Sequence, residues 1–164
     1  MKKTGFLSEL KEKGKLELVE PSEEVKESYL RKADNSLRSA KILLQNDLYE
    51  NSMGEAYYAM YNCVLALLHK IGIKSENHSA SIILLRRLFE ARTLAGIISS
   101  AKEEREDKQY YVESKQKEKA TGGSCSRMIS KAEDFMVELR LVIDSIKTED
   151  INRIRKNFED MFSR

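Results

Sequence analysis

Arg105, Glu106, Asp107, Lys108, Gln109, Tyr110 and Tyr111 follow one another without interruption, and the run puts a guanidinium, carboxylates, an amide and two phenols within two turns of a helix. The planar fork of an Arg grips phosphate through paired hydrogen bonds, and phenols stack on bases. A phosphate- or base-binding patch of Arg105, Asp107, Gln109, Tyr110 and Tyr111 is therefore one chemistry open to these residue types. A satisfied Arg–carboxylate–Tyr network that stitches helices or subunits together uses the same types, and both readings stand at this point. If the helix is continuous, Leu94, Ile98, Ala101, Arg105, Lys108 and Val112 share one face, so Arg105 interrupts an apolar stripe. An Arg charge left unpaired in a core costs several kcal/mol. Asp107, a neighbouring helix, a second subunit or a bound phosphate has to answer it.

Other polar residues invite the same weighing. Tyr57, Tyr58 and Tyr61 could line a nucleotide pocket, although aromatic residues at helical spacing ordinarily belong to a core with their hydroxyls at its edge. His78, beside Asn77, could supply a proton-exchanging group if its turn folds near Arg105, but a His at a helix start is ordinarily a capping or surface residue. His69 near a helix end is explained by a favourable contact with the helix dipole. A di-iron bundle needs paired Glu-x-x-His motifs, and Ala66 and Ser75 occupy the Glu positions ahead of the two His. Two distant Cys and two distant His give no zinc spacing, and no phosphate-cradling glycine-rich motif is present. No cofactor is expected.

The elements that must hold these residues are helical. One proline, seven glycines and long runs of Leu, Ala, Lys and Glu, without alternating Val, Ile or Thr, predict an all-helical chain with no strand. A short helix over about Thr4 to Lys13 leads, after Gly14, into an extended arm from Leu16 to Val19 that ends at Pro21. Ser22 offers an N-cap with Glu23 and Glu24 in the first turn, and Val25, Tyr29, Ala33, Leu37, Ala40 and Leu44 mark the first long helix. After a turn at Asn46 and Asp47, the residues from Met53 to Leu68 are apolar around most of the girth, which predicts a central helix. Gly72 is placed as its C-terminal capping glycine, and Ser75 or Asn77 caps the next helix, which carries Ile82, Ile83, Leu85 and Leu88. A fourth helix spans about Leu94 to Val112. Residues from Ser114 to Ser124 read as a mobile loop, and Met128 to Ile146 as a fifth helix. Ile151, Ile154, Phe158 and Met161 give an amphipathic tail that could cover the bundle or another subunit. Short turns imply antiparallel neighbours. The expected organisation is an N-terminal extension over residues 1–21, an up-and-down antiparallel bundle of four or five helices over 22–147, and a C-terminal amphipathic helix over 148–164.

Composition sets the outer bounds. At 164 residues the chain can close one core without disulfides or metals. Lys and Arg number 29 against 27 Asp and Glu, so bulk charge argues for neither a nucleic-acid binder nor a membrane-surface protein, and any anion site must be local. Cys63 and Cys125, far apart, read as reduced residues, which points to a cytoplasmic location. No apolar run approaches the roughly 20 residues that span a bilayer, and the charged start is unlike a signal peptide.

Three segments together resemble the HEPN family of small helical-bundle proteins: Ala56-Tyr57-Tyr58-Ala59-Met60-Tyr61-Asn62, Glu76-Asn77-His78-Ser79, and Arg105 to Tyr111. The Lys41-Ile42-Leu43-Leu44 end of the first long helix and the Phe135-centred last helix fit in order and spacing, so the resemblance covers about residues 25–147. It implies an up-and-down bundle, a homodimer, and an association with nucleotides or RNA. It also implies a minimal nucleotidyltransferase as partner in a toxin–antitoxin-like pair, in which a phenol can accept a transferred nucleotide. The family's ribonuclease signature is an Arg, a run of four to six residues, then a His, with the Arg on phosphate and the His in acid–base catalysis. Arg105 matches the Arg, whereas Tyr110, Tyr111 and Val112 stand where the His would be. A His titrates at about 6.5 and a Tyr at about 10, so a Tyr makes a poor base near neutrality. The chain resembles the branches that carry Arg followed by Tyr, which supports the fold and ligand binding more than metal-independent RNA cleavage. A ribonuclease with another proton carrier and a non-catalytic dimeric scaffold are the alternatives.

Overall fold

The computed structural model describes residues 3–109 and 119–163, without the side chains of residues 3, 4 and 109. Seven helices and two short strands are found there: α1 (Lys3–Glu12), β1 (Leu16–Leu18), α2 (Glu23–Gln45), α3 (Tyr49–Ile71), β2 (Ile73–Ser75), α4 (His78–Leu88), α5 (Arg92–Gln109), α6 (Gly122–Ser145) and α7 (Thr148–Asp160). The expected all-α bundle forms around α3. Its residues from Met53 to Leu68 are buried on nearly every side, because α2, α5 and α6 pack around it and α4 and α7 also touch it. A helix apolar all round has no other stable place in a water-exposed protein. Along α2, Ala33 and Ala40 are fully buried; these small side chains on one face let α2 approach α3 closely, and the Ser52 hydroxyl donates to the Ala40 carbonyl across the seam at 2.8 Å.

Local chemistry sets the boundaries. Ser22 accepts from the Val25 backbone N–H at 3.1 Å and starts α2. Gly72 ends α3 in the left-handed conformation, at φ +82°, which a residue with a Cβ adopts only at a cost of about 1–2 kcal/mol. Asn77, rather than Ser75, caps α4: its side chain accepts from the Ala80 N–H at 2.9 Å.

Two expectations are corrected. The arm from Leu16 is a strand: β1 pairs antiparallel with β2 in the register Leu16 to Ser75, Glu17 to Lys74 and Leu18 to Ile73. The Glu17 carboxylate meets the Lys74 ammonium across this pair at 3.2 Å. The predicted loop from Ser114 to Ser124 ends early, because Gly122, Gly123 and Ser124 are the first turn of α6. There Thr121 and Ser124 bond each other's backbone N–H in a capping box, at 3.1 and 2.8 Å. The rest of that predicted loop, from Ser114 to Glu118, lies outside the described residues, as does Val112.

Both terminal helices join the same core. Leu7 and Leu10 of α1 and Ile154 and Phe158 of α7 are buried with the α3 residues. Arg155 latches α7 down: its Nη1 lies 2.8 to 3.0 Å from the carbonyl oxygens of Val19, Ile71 and Gly72. Those oxygens sit at the end of α3 and beside β1, where helix ends leave carbonyls to be satisfied; the Gly72 carbonyl also accepts the Val19 N–H at 2.9 Å. Among the described residues no helix is long and apolar enough to cross a membrane.

Candidate functional site

The antiparallel α4–α5 hairpin folds over one face of α3 and brings three separated stretches of sequence together. From α3 come Tyr57, Tyr58 and Tyr61. Positions 57 and 61 are one turn apart, so their rings stack, with centroids 6.1 Å apart and planes within 8°. From the first position of α4 comes His78, whose ring lies on Tyr61 at 3.8 Å and 23°, and whose Nδ1 is 2.9 Å from the Tyr57 hydroxyl. From α5 comes Arg105. Its guanidinium carbon sits 4.8 Å from the Tyr57 ring centroid and 5.5 Å from that of Tyr58, and Nη1 donates to the Tyr58 hydroxyl at 3.2 Å.

Arg105 does interrupt a buried stripe: Leu94, Ile98, Ala101 and Lys108 are buried with it. Among the described residues it is answered chiefly by the two Tyr of α3, since its ion-pair partner there, Glu106, holds its oxygen 3.8 Å from Nη2. Glu106 is held by Lys102 at 2.8 Å, which keeps its carboxyl below the usual range. Cation–π contact with two rings and one phenol hydrogen bond partly replace water around the guanidinium. The side chain is 10 % exposed, and its Nε is buried with no hydrogen-bond partner among the described residues. A buried N–H of a cation left without an acceptor is costly; the Nε of Arg140 is in the same state.

The surroundings of His78 favour the neutral imidazole. Burial, and then the charges of Arg105 and Lys102, lower the His78 pKa; its place at a helix N-terminus acts in the same direction. Burial raises the Tyr57 hydroxyl far above the usual phenol range, although Arg105 opposes this, so that phenol stays protonated. Its hydrogen-bond partner among the described residues is Nδ1; the phenol donates to it when the imidazole proton sits on Nε2 and accepts from it when the proton sits on Nδ1. Tyr61 is tied separately: its hydroxyl lies 3.2 Å from the Ser81 Oγ, which is 2.9 Å from the Ser75 Oγ.

Of the residues singled out from sequence, the structure thus joins Arg105 with Tyr57, Tyr61 and His78, and Asn77 places His78 by capping its helix. His78 is half-buried inside the cluster, not a capping or freely exposed residue. Tyr57 and Tyr61 are core residues, at 0 % and 5 % exposure, whose hydroxyls nonetheless face partners in the cluster. Asp107 lies on the exposed side of α5, away from the buried face that carries Arg105 and Lys108. The Gln109 side chain, Tyr110 and Tyr111 lie outside the described residues. Sequence reasoning missed Ser81 and Lys102. Both had a signal, one turn from His78 and from Arg105 respectively on the same helix, which becomes readable only once those two residues are known to meet.

Comparison with known proteins identifies the family. The HEPN domain profile matches residues 26–142, from early α2 to late α6, and so takes in the whole Tyr57–His78–Arg105 cluster. A UPF0332 protein, glr0978 of Gloeobacter violaceus (strain ATCC 29082 / PCC 7421), is 38% identical over 53 residues, which is 32% of this chain and 42% of that protein. The bundle around α3, the order of its helices and the profile match over most of the chain agree: this chain belongs to the HEPN family.

Proposed function

We propose that the chain is a nucleotide- or RNA-associated module in which Arg105 holds a phosphate and the neighbouring phenols contact a base. The observation that carries this reading is the buried Arg105 guanidinium, packed on Tyr57 and Tyr58, whose Nε has no hydrogen-bond partner among the described residues. A purely structural Arg would be expected to spend its donors on carboxylates or carbonyls. Tyr58, at 38 % exposure, offers a ring that a base can reach, and Tyr110 or Tyr111 would complete the contact. The module would act as a homodimer with the Arg105 cluster facing the cleft between subunits, beside a minimal nucleotidyltransferase in a toxin–antitoxin-like pair. Equilibrium binding of mononucleotides and short RNAs to the purified protein, alone and with a nucleotidyltransferase encoded beside it, tests this. Binding of a phosphate-bearing ligand supports it, and no binding in either setting overturns it.

A second reading, metal-independent RNA cleavage, gains from the His78–Tyr57 pair. The family's His position holds a Tyr here, but an imidazole does reach the Arg105 cluster from α4. With Tyr57 donating to Nδ1, the Nε2–H is a donor to a phosphate oxygen. If Tyr57 instead accepts from Nδ1–H, Nε2 is free to take the proton of an attacking ribose hydroxyl. A phenol hydroxyl can do either. This reading requires RNA cleavage that persists in EDTA and disappears in His78→Ala while nucleotide binding survives.

A further inference from the structure

The α4–α5 hairpin carries a groove that the Arg105 cluster does not use. Ile82 and Ile83 are its apolar lining, Ser79 and Ser99 offer hydroxyls, and Arg86, Arg87 and Lys102 bring positive charge around a cavity of about 230 Å³. A second cavity beyond it is lined by the same Arg86 and Arg87 together with Arg92 and Glu90. Arg86, Arg87 and Arg92 are exposed and have no ion-pair partner among the described residues. The opposing carboxylates are Glu103, exposed at the groove, and Glu90 at the far end. Lys102 is shared with Glu106.

The groove starts where the cluster ends. Ser79 follows His78, and Lys102 lies one helical turn before Arg105, with Glu106 beside both cations. Along α4 the distance from His78 to Arg86 is about 12 Å at the helical rise. A stacked strand advances about 3.4 Å per phosphate, so this length accommodates more than one.

We propose that the Arg86–Arg87–Lys102 groove is a subsite for the phosphodiester backbone of single-stranded RNA running on from the nucleotide held at Arg105. This rests on the nucleotide reading of Arg105 and deepens it, making the ligand a polynucleotide. Guanidinium forks suit phosphate oxygens, and the exposed ring of Tyr58, whose hydroxyl takes the Arg105 hydrogen bond, offers a base a stacking face that an acidic protein segment would not need.

The test compares a nucleoside monophosphate with 2′-O-methyl oligoribonucleotides of increasing length, which resist cleavage, by calorimetry over a range of salt concentrations. Wild-type protein is expected to bind the oligomers more tightly than the monophosphate and with a steeper salt dependence. Arg86→Gln with Arg87→Gln, both at exposed positions, should keep monophosphate binding and lower the oligomer's log K against log salt slope by about 1.4, two single-strand contacts at about 0.7 each. Binding that requires Arg105 but is indifferent to length and to the double substitution overturns the subsite alone and leaves the groove to an acidic protein segment. Absence of binding for every probe overturns the reading of Arg105 as well.

Discussion

Arg105 does two things that pull against each other: it occupies a buried position, and it keeps a donor there that no other described residue satisfies. A charge-assisted hydrogen bond contributes about 1.5–3 kcal/mol, so Arg105→Ala should weaken a phosphate ligand by roughly 10- to 150-fold. That Arg105 would be buried is readable from the spacing of Leu94, Ile98 and Ala101. What answers it is not, because Tyr57 and Tyr58 lie 48 and 47 residues away on another helix and nothing local links them. His78 shows the same limit: its neighbours in sequence mark a helix start, and only the fold reveals that the start abuts Tyr61. The depressed His78 pKa makes a second prediction. The unfolded His takes up its proton at about pH 6.5, the folded one only at lower pH, so the unfolded chain holds more protons in between. The stabilising contribution is complete above about pH 6.5 and is lost as pH falls through the folded value. His69, lowered by burial and by Lys74, adds to the same trend. Urea unfolding at about pH 7.5 and about pH 5 should show wild type losing stability on acidification and His78→Asn losing less. An equal loss in both would contradict the placement of His78.

Among the elements, the helices were legible, the short α1 and α7 included, and the strands and the start of α6 were not. Ser22 with two following acids, the apolar girth of α3 and the glycine after it each carry a local physical signature. The pairing of β1 with β2 does not, since three-residue strands are too short for alternation to register and their partner choice depends on the end of α3. The start of α6 was hidden because a glycine pair reads as loop unless the Thr121–Ser124 capping box is weighed against it. The junction where α3, β1, β2 and α7 meet makes a further prediction. A Cβ at Gly72 would collide with the Val19 carbonyl and the Arg155 guanidinium, at a backbone φ of +82°. Gly72→Ala should therefore cost more than the roughly 1–2 kcal/mol of left-handed strain alone, read as a lower midpoint in urea. Arg155→Met, which keeps much of the bulk but abandons the three carbonyls, should cost about 1–3 kcal/mol and speed hydrogen exchange in β1, β2 and α7. Unchanged exchange there would show that the latch does not hold α7.

For the molecule as a whole, one apolar core runs from Leu7 to Phe158, and this binds the terminal helices to the bundle that positions the site. Phe158, fully buried, is a test of that continuity: Phe158→Ala should destabilise by about 3–5 kcal/mol, with the slope in urea unchanged if unfolding remains a single cooperative step. A fall in slope would mean that α7 melts apart from the rest. The family's bundle was visible in the order of Tyr-rich, His-turn and Arg segments because each segment sits on a different helix of one face. The α4–α5 groove was not, because its cations are scattered through near-neutral sequence and converge only in the folded hairpin. The central claim concerns a phosphate ligand at Arg105, and calorimetric titration of nucleotides and short RNAs into wild type and Arg105→Ala tests it most directly. Binding by the wild type that falls at least 10-fold in a variant that remains folded is the predicted result. Equal binding by the two proteins, or a variant altered only in stability, would contradict the claim and leave Arg105 as a structural strut.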